Sequence, residues 1–295
     1  MRHLVHIGCP KAASQFLGQW FERHPQLLYK NHGLAGFQEG IFPFADKVAR
    51  HRKQPYAYAV TSWEGFSSGS LGWLLGRSND WQLDPEIFCD FLADFFPNAR
   101  ILIITRGFAS RVISTYKQLV KMRAVDDFDT IMGELSGRDF IYFDYNKLIG
   151  MYEQAFGKEN VIVLPYELLR DDNVRFLAIL QEKLGLDPVE YNPGVVNDAA
   201  SPSDLYWSLK LNKLLVRTKP VLGATLFDKL NAKHIHNGFY NRYRPLFRVL
   251  SAIFPNRKLL VPPLPESILE GCRGRADILK GREEYKNYGA EYLWE

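Results

Sequence analysis

The chain has 295 residues, 46% of them apolar, 24% charged and 14% aromatic, which is enough for a sizeable core and excludes a disordered chain. A formal net charge of only +4 speaks against a general nucleic-acid binder, yet the charge is uneven: residues 201–258 hold eleven Lys or Arg against Asp204 and Asp228 alone. Cys9, Cys89 and Cys272 are far apart and form no CxxC pair, which points away from disulfides or structural zinc and toward a reducing compartment. The apolar run in "MRHLVHIG" is too short for a signal peptide, and no stretch reaches eighteen apolar residues. The expectation is a cytoplasmic protein, with peripheral contact at the inner membrane face left open.

In chain order, residues 4–7 read as a short strand closed by Gly8 and Pro10. Ser14 offers a helix N-cap, and Phe16, Leu17, Trp20 and Phe21 follow at helical spacing. The alternating stretch 56–62 reads as a second strand, and Asp84-Pro85-Glu86 as a helix start. Residues 100–105 form a continuous apolar run, as buried parallel strands do, followed by a helix over about 109–123. A helix at 142–156, a buried strand at 160–165 and a helix capped by Asp171 or Asp172 and ending at Gly185 come next. Beyond Pro188 aromatic and basic residues mix on helix-like spacing, and a last helix is expected over about 266–280. Strands alternating with helices imply an α/β fold, a parallel sheet flanked by helices, here extended by a mostly helical basic insertion.

The stretch Ile7-Gly8-Cys9-Pro10-Lys11-Ala12-Ala13-Ser14-Gln15 sits between strand and helix. Unpaired N–H groups at a helix start attract anions, small residues let a phosphate approach the backbone, and a lysine adds a point charge. The stretch lacks the GxxxxGK[ST] order of a Walker loop. Gln15 stands where a cysteine phosphatase would need arginine, so Cys9 is not read as a nucleophile. A tight turn with a solvated Lys11 is the plain alternative.

This loop resembles the 5′-phosphosulfate-binding loop of the sulfotransferases, which often runs Pro-Lys-x-Gly-Thr-Thr. Pro10, Lys11 and one hydroxyl, Ser14, match, whereas Ala13 replaces the glycine and Gln15 the second threonine. Alanine at 13 costs little room provided its φ is negative, and Gln15 still donates a backbone N–H. The family also places Arg after a buried strand and Ser eight residues later for the 3′-phosphate; Arg106 and Ser114 have that spacing, with Arg111 and Tyr116 also in the family's pattern. Glycan-modifying members often carry a basic glutamate soon after the second strand, where Glu64 stands.

The resemblance covers about residues 1–187 and 265–290. It implies a P-loop NTPase-like sulfotransferase fold in one domain over 1–295, with 189–264 an acceptor-side or lid subregion. The donor would be 3′-phosphoadenosine 5′-phosphosulfate (PAPS), the product adenosine 3′,5′-bisphosphate (PAP), and the acceptor a carbohydrate or lipid-linked glycan, with no metal and no nucleic acid. Lys11 and Glu64 would be catalytic. Lys11, Ala12, Ala13, Ser14 and Gln15 would hold the 5′-phosphate, and Arg106 and Ser114 the 3′-phosphate. Tyr166 and Glu167 would sit near the nucleotide or organise the core, and Arg273 and Arg275 would close over the 3′-phosphate.

Other residues draw less weight. "HIH" at 234–236 lacks nearby carboxylates or thiols for a metal site, and His6 alternates with apolar neighbours as a structural residue would. Trp63, Trp73, Trp81, Tyr206 and Trp207 suit either sugar stacking or a core. The basic, aromatic segment 205–254 has three readings: a cover that attracts an anionic glycan, a face lying on an anionic membrane, or a helical lid with solvated lysines. An ATP-dependent phosphotransferase and a non-catalytic nucleotide- or glycan-binding protein are the rival functions.

Overall fold

The structure, a computed structural model, describes residues 2–9, 11–29, 56–63, 65–68, 85–122, 124–131, 144–191, 200–217 and 239–294. It divides into two compact units, one of Met1–Arg111, Phe140–Val196 and Leu269–Glu295, the other of Val112–Asp139 and Asn197–Ile268.

The first unit is built on a five-stranded sheet in the order β2-β3-β1-β4-β5, with β1 at Arg2–Gly8, β2 at Leu27–Leu28, β3 at Tyr58–Trp63, β4 at Arg100–Thr105 and β5 at Val161–Pro165. Every neighbouring pair is parallel. Leu4, Val5, Ile7 and Ile101 to Ile104 are wholly buried, as expected when helices cover both faces of a sheet. The chain leaves β1 toward β2, on one side, and leaves β4 toward β5, on the other. The strand order therefore reverses between β1 and β4, where an open α/β sheet leaves a crevice at its carboxyl edge. Gly8 pairs in register with Ile104 there, so the loop after β1 and the bend after β4 start side by side.

Helix α1 (Ser14–Arg23) follows β1 directly and buries Leu17, Trp20 and Phe21. Its N-cap is Ala13, not Ser14, and no side chain caps it: Ala13 takes a left-handed conformation, which makes Ser14 the first helical residue. Helices α2 (Gly65–Ser68), α3 (Pro85–Phe95) and α4 (Phe108–Lys121) come next in the described chain. In α5 (Tyr145–Phe156) the Asp144 carboxylate accepts the Lys147 N–H at 2.9 Å and fixes the start. Helix α6 (Tyr166–Asp171) is a short turn after β5. For α7 (Asn173–Leu184) the cap is Asp172, which accepts the Arg175 N–H at 2.9 Å, and Gly185 at φ 64° ends it.

The last expected helix, 266–280, stops early. Helix α10 (Glu266–Cys272), which follows α8 (Pro202–Arg217) and α9 (Phe239–Ile253) in the chain, gives way to a turn in which Arg275 N–H bonds the Cys272 carbonyl at 3.1 Å, with Gly274 at φ 73°. Short 3₁₀ turns at Asp277–Leu279, Glu283–Tyr285 and Gly289–Tyr292 carry the tail onward and bury Tyr285 and Tyr292 completely.

The second unit contains the latter part of α4 with α8 (Pro202–Arg217) and α9 (Phe239–Ile253). Asp204, buried in α8, accepts the Ser251 hydroxyl of α9 at 2.9 Å, and the Asn212 amide donates to the Val120 and Ala124 carbonyls at 2.9 and 3.0 Å. Lys121 lies over the Tyr240 ring. Leu246, Val249 and Ile253 recur at helical spacing along the exposed side of α9, which carries Arg242, Arg244 and Arg248 and no acid. Among the described residues, no helix is long and apolar enough to cross a membrane.

Candidate functional site

The turn from β1 into α1 bends through two left-handed residues, Lys11 and Ala13, each at φ 68°. A side chain in that region costs about 1–2 kcal/mol relative to glycine. The condition under which alanine would fit cheaply at 13, a negative φ, is therefore not met. The loop closes on itself through Ala12 N–H to the Cys9 carbonyl at 3.1 Å, and α1 begins its ladder with Leu17 N–H to the Ala13 carbonyl at 3.0 Å. The N–H groups of Ser14, Gln15 and Phe16, in the first turn, have no intrahelical acceptor. Ala12 and Cys9 are fully buried; Lys11, Ala13 and Ser14 are half-buried, and Gln15 is exposed. The Ser14 Oγ is buried with no hydrogen-bond partner among the described residues. An anion-binding turn would leave such an atom.

Arg106, the first residue past β4, turns toward this loop. Its Nη1 donates to the Lys11 carbonyl at 2.6 Å, its Nε donates to the Ser110 hydroxyl at 3.0 Å, and its guanidinium stacks over the Tyr166 ring at 4.4 Å. Burial lowers its affinity for the proton, against the opposing pull of Tyr166 and Glu167, but arginine stays charged. The arrangement leaves Nη2 without an acceptor among the described residues.

The backbone at this bend is held as firmly. The Tyr145 hydroxyl accepts the Arg106 N–H at 3.0 Å and donates to the Arg106 carbonyl at 2.6 Å. Gly107 N–H donates to the buried Glu167 carboxylate at 2.9 Å, whose other oxygen accepts the Tyr292 hydroxyl at 2.9 Å. Thr105 Oγ1 lies 2.7 Å from the hydroxyls of both Tyr285 and Tyr292. A Cβ at 107 would stand 2.7 Å from that of Glu291, so the tail can pack here only against glycine. Burial raises the Glu167 carboxyl above its ordinary value, although the Gly107 N–H and the Tyr292 hydroxyl pull it back. Of the two roles open to Tyr166 and Glu167, Glu167 has the organising one, and Tyr166 faces Arg106.

Ser114 lies on α4 two turns beyond Arg106, half-buried, in the portion assigned to the second unit. Arg273 forms an exposed ion pair with Glu270 at 2.7 Å. Arg275 neighbours Cys272, whose thiol is pushed up by burial and drawn down by Arg275 and Arg111. Asn146 secures this loop: its backbone N–H donates to the Arg275 carbonyl at 3.1 Å, its amide donates to the Gly274 carbonyl at 2.6 Å, and its Oδ1 accepts the Ile278 N–H at 2.8 Å.

Glu64 and Pro10 lie outside the described residues, as do Trp73, Trp81, His234 and His236. On either side of Glu64, Trp63 pairs with Ile7 at the end of β3, and the Ser67 hydroxyl donates to the Gly8 carbonyl at 2.8 Å. His6 is buried in β1, its Nδ1 2.8 Å from the Ser62 hydroxyl, and burial drives it down to about 3, so it stays neutral. No group of His, Cys, Asp or Glu that could hold a metal ion occurs among the described residues.

The parallel sheet, with its switch point between β1 and β4 and a cation reaching across it, defines an α/β protein with a crevice lined by basic residues at its carboxyl edge. Residues 4–190 match the sulfotransferase family, and the chain belongs to that family. In shape it is similar to a sulfotransferase from Alicyclobacillus acidocaldarius at 16% identity, covering 75% of this chain and 96% of that one with a TM-score of 0.46. It is also similar to mouse sulfotransferase SULT7A1 complexed with PAP, at 12% identity, 72% and 66% coverage and a TM-score of 0.40. No curated protein matches it in sequence.

Proposed function

We propose that the protein transfers a sulfuryl group from PAPS to an acceptor hydroxyl on a carbohydrate or lipid-linked glycan and releases PAP. The observation that carries this reading is the 2.6 Å bond from the Arg106 guanidinium to the Lys11 carbonyl, which joins the two basic stations at the carboxyl edge of adjacent strands. Ala13 to Gln15 hold the 5′-phosphate through backbone N–H groups, with the orphaned Ser14 hydroxyl as a further donor, whereas the Ala12 N–H is spent on the Cys9 carbonyl and only shapes the loop. Arg106, resting on Tyr166, holds the 3′-phosphate with Ser114, and Arg273 and Arg275 close over it.

The acceptor oxygen attacks sulfur in line while the sulfur–oxygen bond to the phosphate breaks. Glu64 takes the hydroxyl proton, and the Lys11 ammonium meets the charge that develops on the departing phosphate oxygen. Lys11, Arg106 and the N–H groups at the start of α1 supply the positive potential, and the scheme calls for no metal. Buried cysteines outside any disulfide suit a reducing cytoplasm. Residues 189–264 take the acceptor side, and no nucleic acid is involved.

The exposed Leu246, Val249 and Ile253, on a helix whose charged residues are all arginine, favour an acceptor presented at an anionic lipid surface. Flotation with vesicles containing phosphatidylglycerol, but not with phosphatidylcholine alone, is expected; equal behaviour with both removes the membrane from the account.

Transfer of radiolabelled sulfate from PAPS to a panel of glycans and lipid-linked glycans tests the reaction. Label should pass to a hydroxyl, and Glu64→Gln should slow it by roughly 10²–10⁴. Binding of PAP with no transfer to any acceptor would make the protein a binding module instead.

A further inference from the structure

An arginine side chain is long and mobile, so an arginine that selects one phosphate needs a fixed root. At Arg106 that root is fixed by a single atom. The Tyr145 hydroxyl has one proton and two lone pairs, and all three are used: the proton goes to the Arg106 carbonyl at 2.6 Å, and the lone pairs accept the Arg106 N–H at 3.0 Å and Arg111 Nη1 at 3.1 Å. Both Tyr145 and Arg111 are buried, at 0% and 2% exposure, so no solvent stands in for a lost member. A cationic donor polarises the hydroxyl it binds and strengthens the bond that hydroxyl donates, consistent with the shortest contact of the three lying on the Arg106 carbonyl. The ring itself packs against Phe108 and Tyr292. Tyr145 is also the first residue of α5, between the capping Asp144 and the Asn146 that secures the loop of Gly274 and Arg275. One helix start thus holds both the bend at Arg106 and the loop of Gly274 and Arg275.

We propose that Tyr145, with Arg111 behind it, is a positioning residue that aims Arg106 and thereby sets the protein's preference for a nucleotide bearing a 3′-phosphate. The proposal rests on the donor reading above. It concerns selectivity rather than stability, and selectivity is what separates it from a packing role.

The test is calorimetric titration of wild type and Tyr145→Phe with adenosine 3′,5′-bisphosphate and with adenosine 5′-monophosphate. The wild type should prefer the bisphosphate. Tyr145→Phe should cut that preference by about tenfold, the equivalent of one lost hydrogen-bond network, through weaker bisphosphate binding with the monophosphate unchanged. A preference that survives in Tyr145→Phe, or an equal loss for both nucleotides, overturns the positioning role alone. A wild type with no preference overturns the donor reading and this role with it. Should Tyr145→Phe fail to fold, Arg111→Lys keeps the charge and the tyrosine but shortens the donor; the preference should again fall, and an unchanged one overturns the role.

Discussion

The two basic stations of the crevice are built in opposite ways. The loop after β1 depends on backbone shape, with Lys11 and Ala13 both held at φ 68°. The bend after β4 has no unusual backbone angle, and side chains from four distant segments brace it: Tyr145, Glu167, Tyr285 and Tyr292. A site that offers backbone N–H groups tolerates drift in its side chains, so glycine and threonine can become Ala13 and Gln15 there. A site that offers one guanidinium must fix the root of that side chain, which takes a scaffold.

The contrast can be broken or sharpened by mutation, from the largest effect down. Lys11→Ala should lower kcat by about 10²–10³ once an acceptor is known, as loss of a charge-stabilising donor does, with little change in PAP affinity. Steady-state kinetics beside calorimetry would show it; an equal loss of binding would make Lys11 a plain anchor.

Arg106→Ala removes a charge-assisted, bidentate-capable contact and should weaken PAP by roughly 10–100-fold, read by calorimetry. The bend should remain folded, because Tyr145 and Glu167 hold backbone groups that alanine also has.

Glu167→Gln probes the scaffold through pH. The Glu167 carboxyl is raised in the folded protein by burial, so its contribution is fully present below the ordinary glutamate value of about 4.3 and is lost as pH rises through the raised folded value. The variant does not titrate, so its Tm should fall less steeply with rising pH across that window. Parallel Tm profiles for the two proteins would contradict the assignment.

Ala13→Gly is the smallest change and acts on the loop. Relief of the left-handed alanine, less the entropic cost of glycine, should raise stability by about 0.5–1 kcal/mol, on the order of 2 °C in Tm by scanning calorimetry. A lower Tm would mean the loop is not strained at Ala13.

The same contrast decides what could be read from the sequence. The sheet was legible because β4 is an unbroken apolar run, and the expected 100–105 coincides with Arg100–Thr105. The β1 loop was legible as a strand–turn–helix because its signals are local: Gly8, Lys11, small residues and a helix start lie within a few positions. The brace at Arg106 was not, because Tyr145 is 39 residues away and Tyr292 acts through Glu167 from 125 residues away. No spacing signals such partners. The two-residue β2 is too short to carry a pattern, and helical periodicity carried the last helix through Gly274, where a positive φ ends any such run. Ser14 looked like a cap, but a cap needs the residue outside the helix, and Ala13 occupies that place.

The central claim is that the crevice receives a nucleotide carrying phosphates at both 3′ and 5′ positions. Calorimetric titration of the wild-type protein and Arg106→Ala with PAP, and separately with ATP and magnesium, addresses it most directly. The account predicts tight binding of PAP that the substitution weakens, and weak binding of ATP in both proteins. Tight binding of ATP with magnesium, with PAP no better in wild type than in the variant, would contradict it.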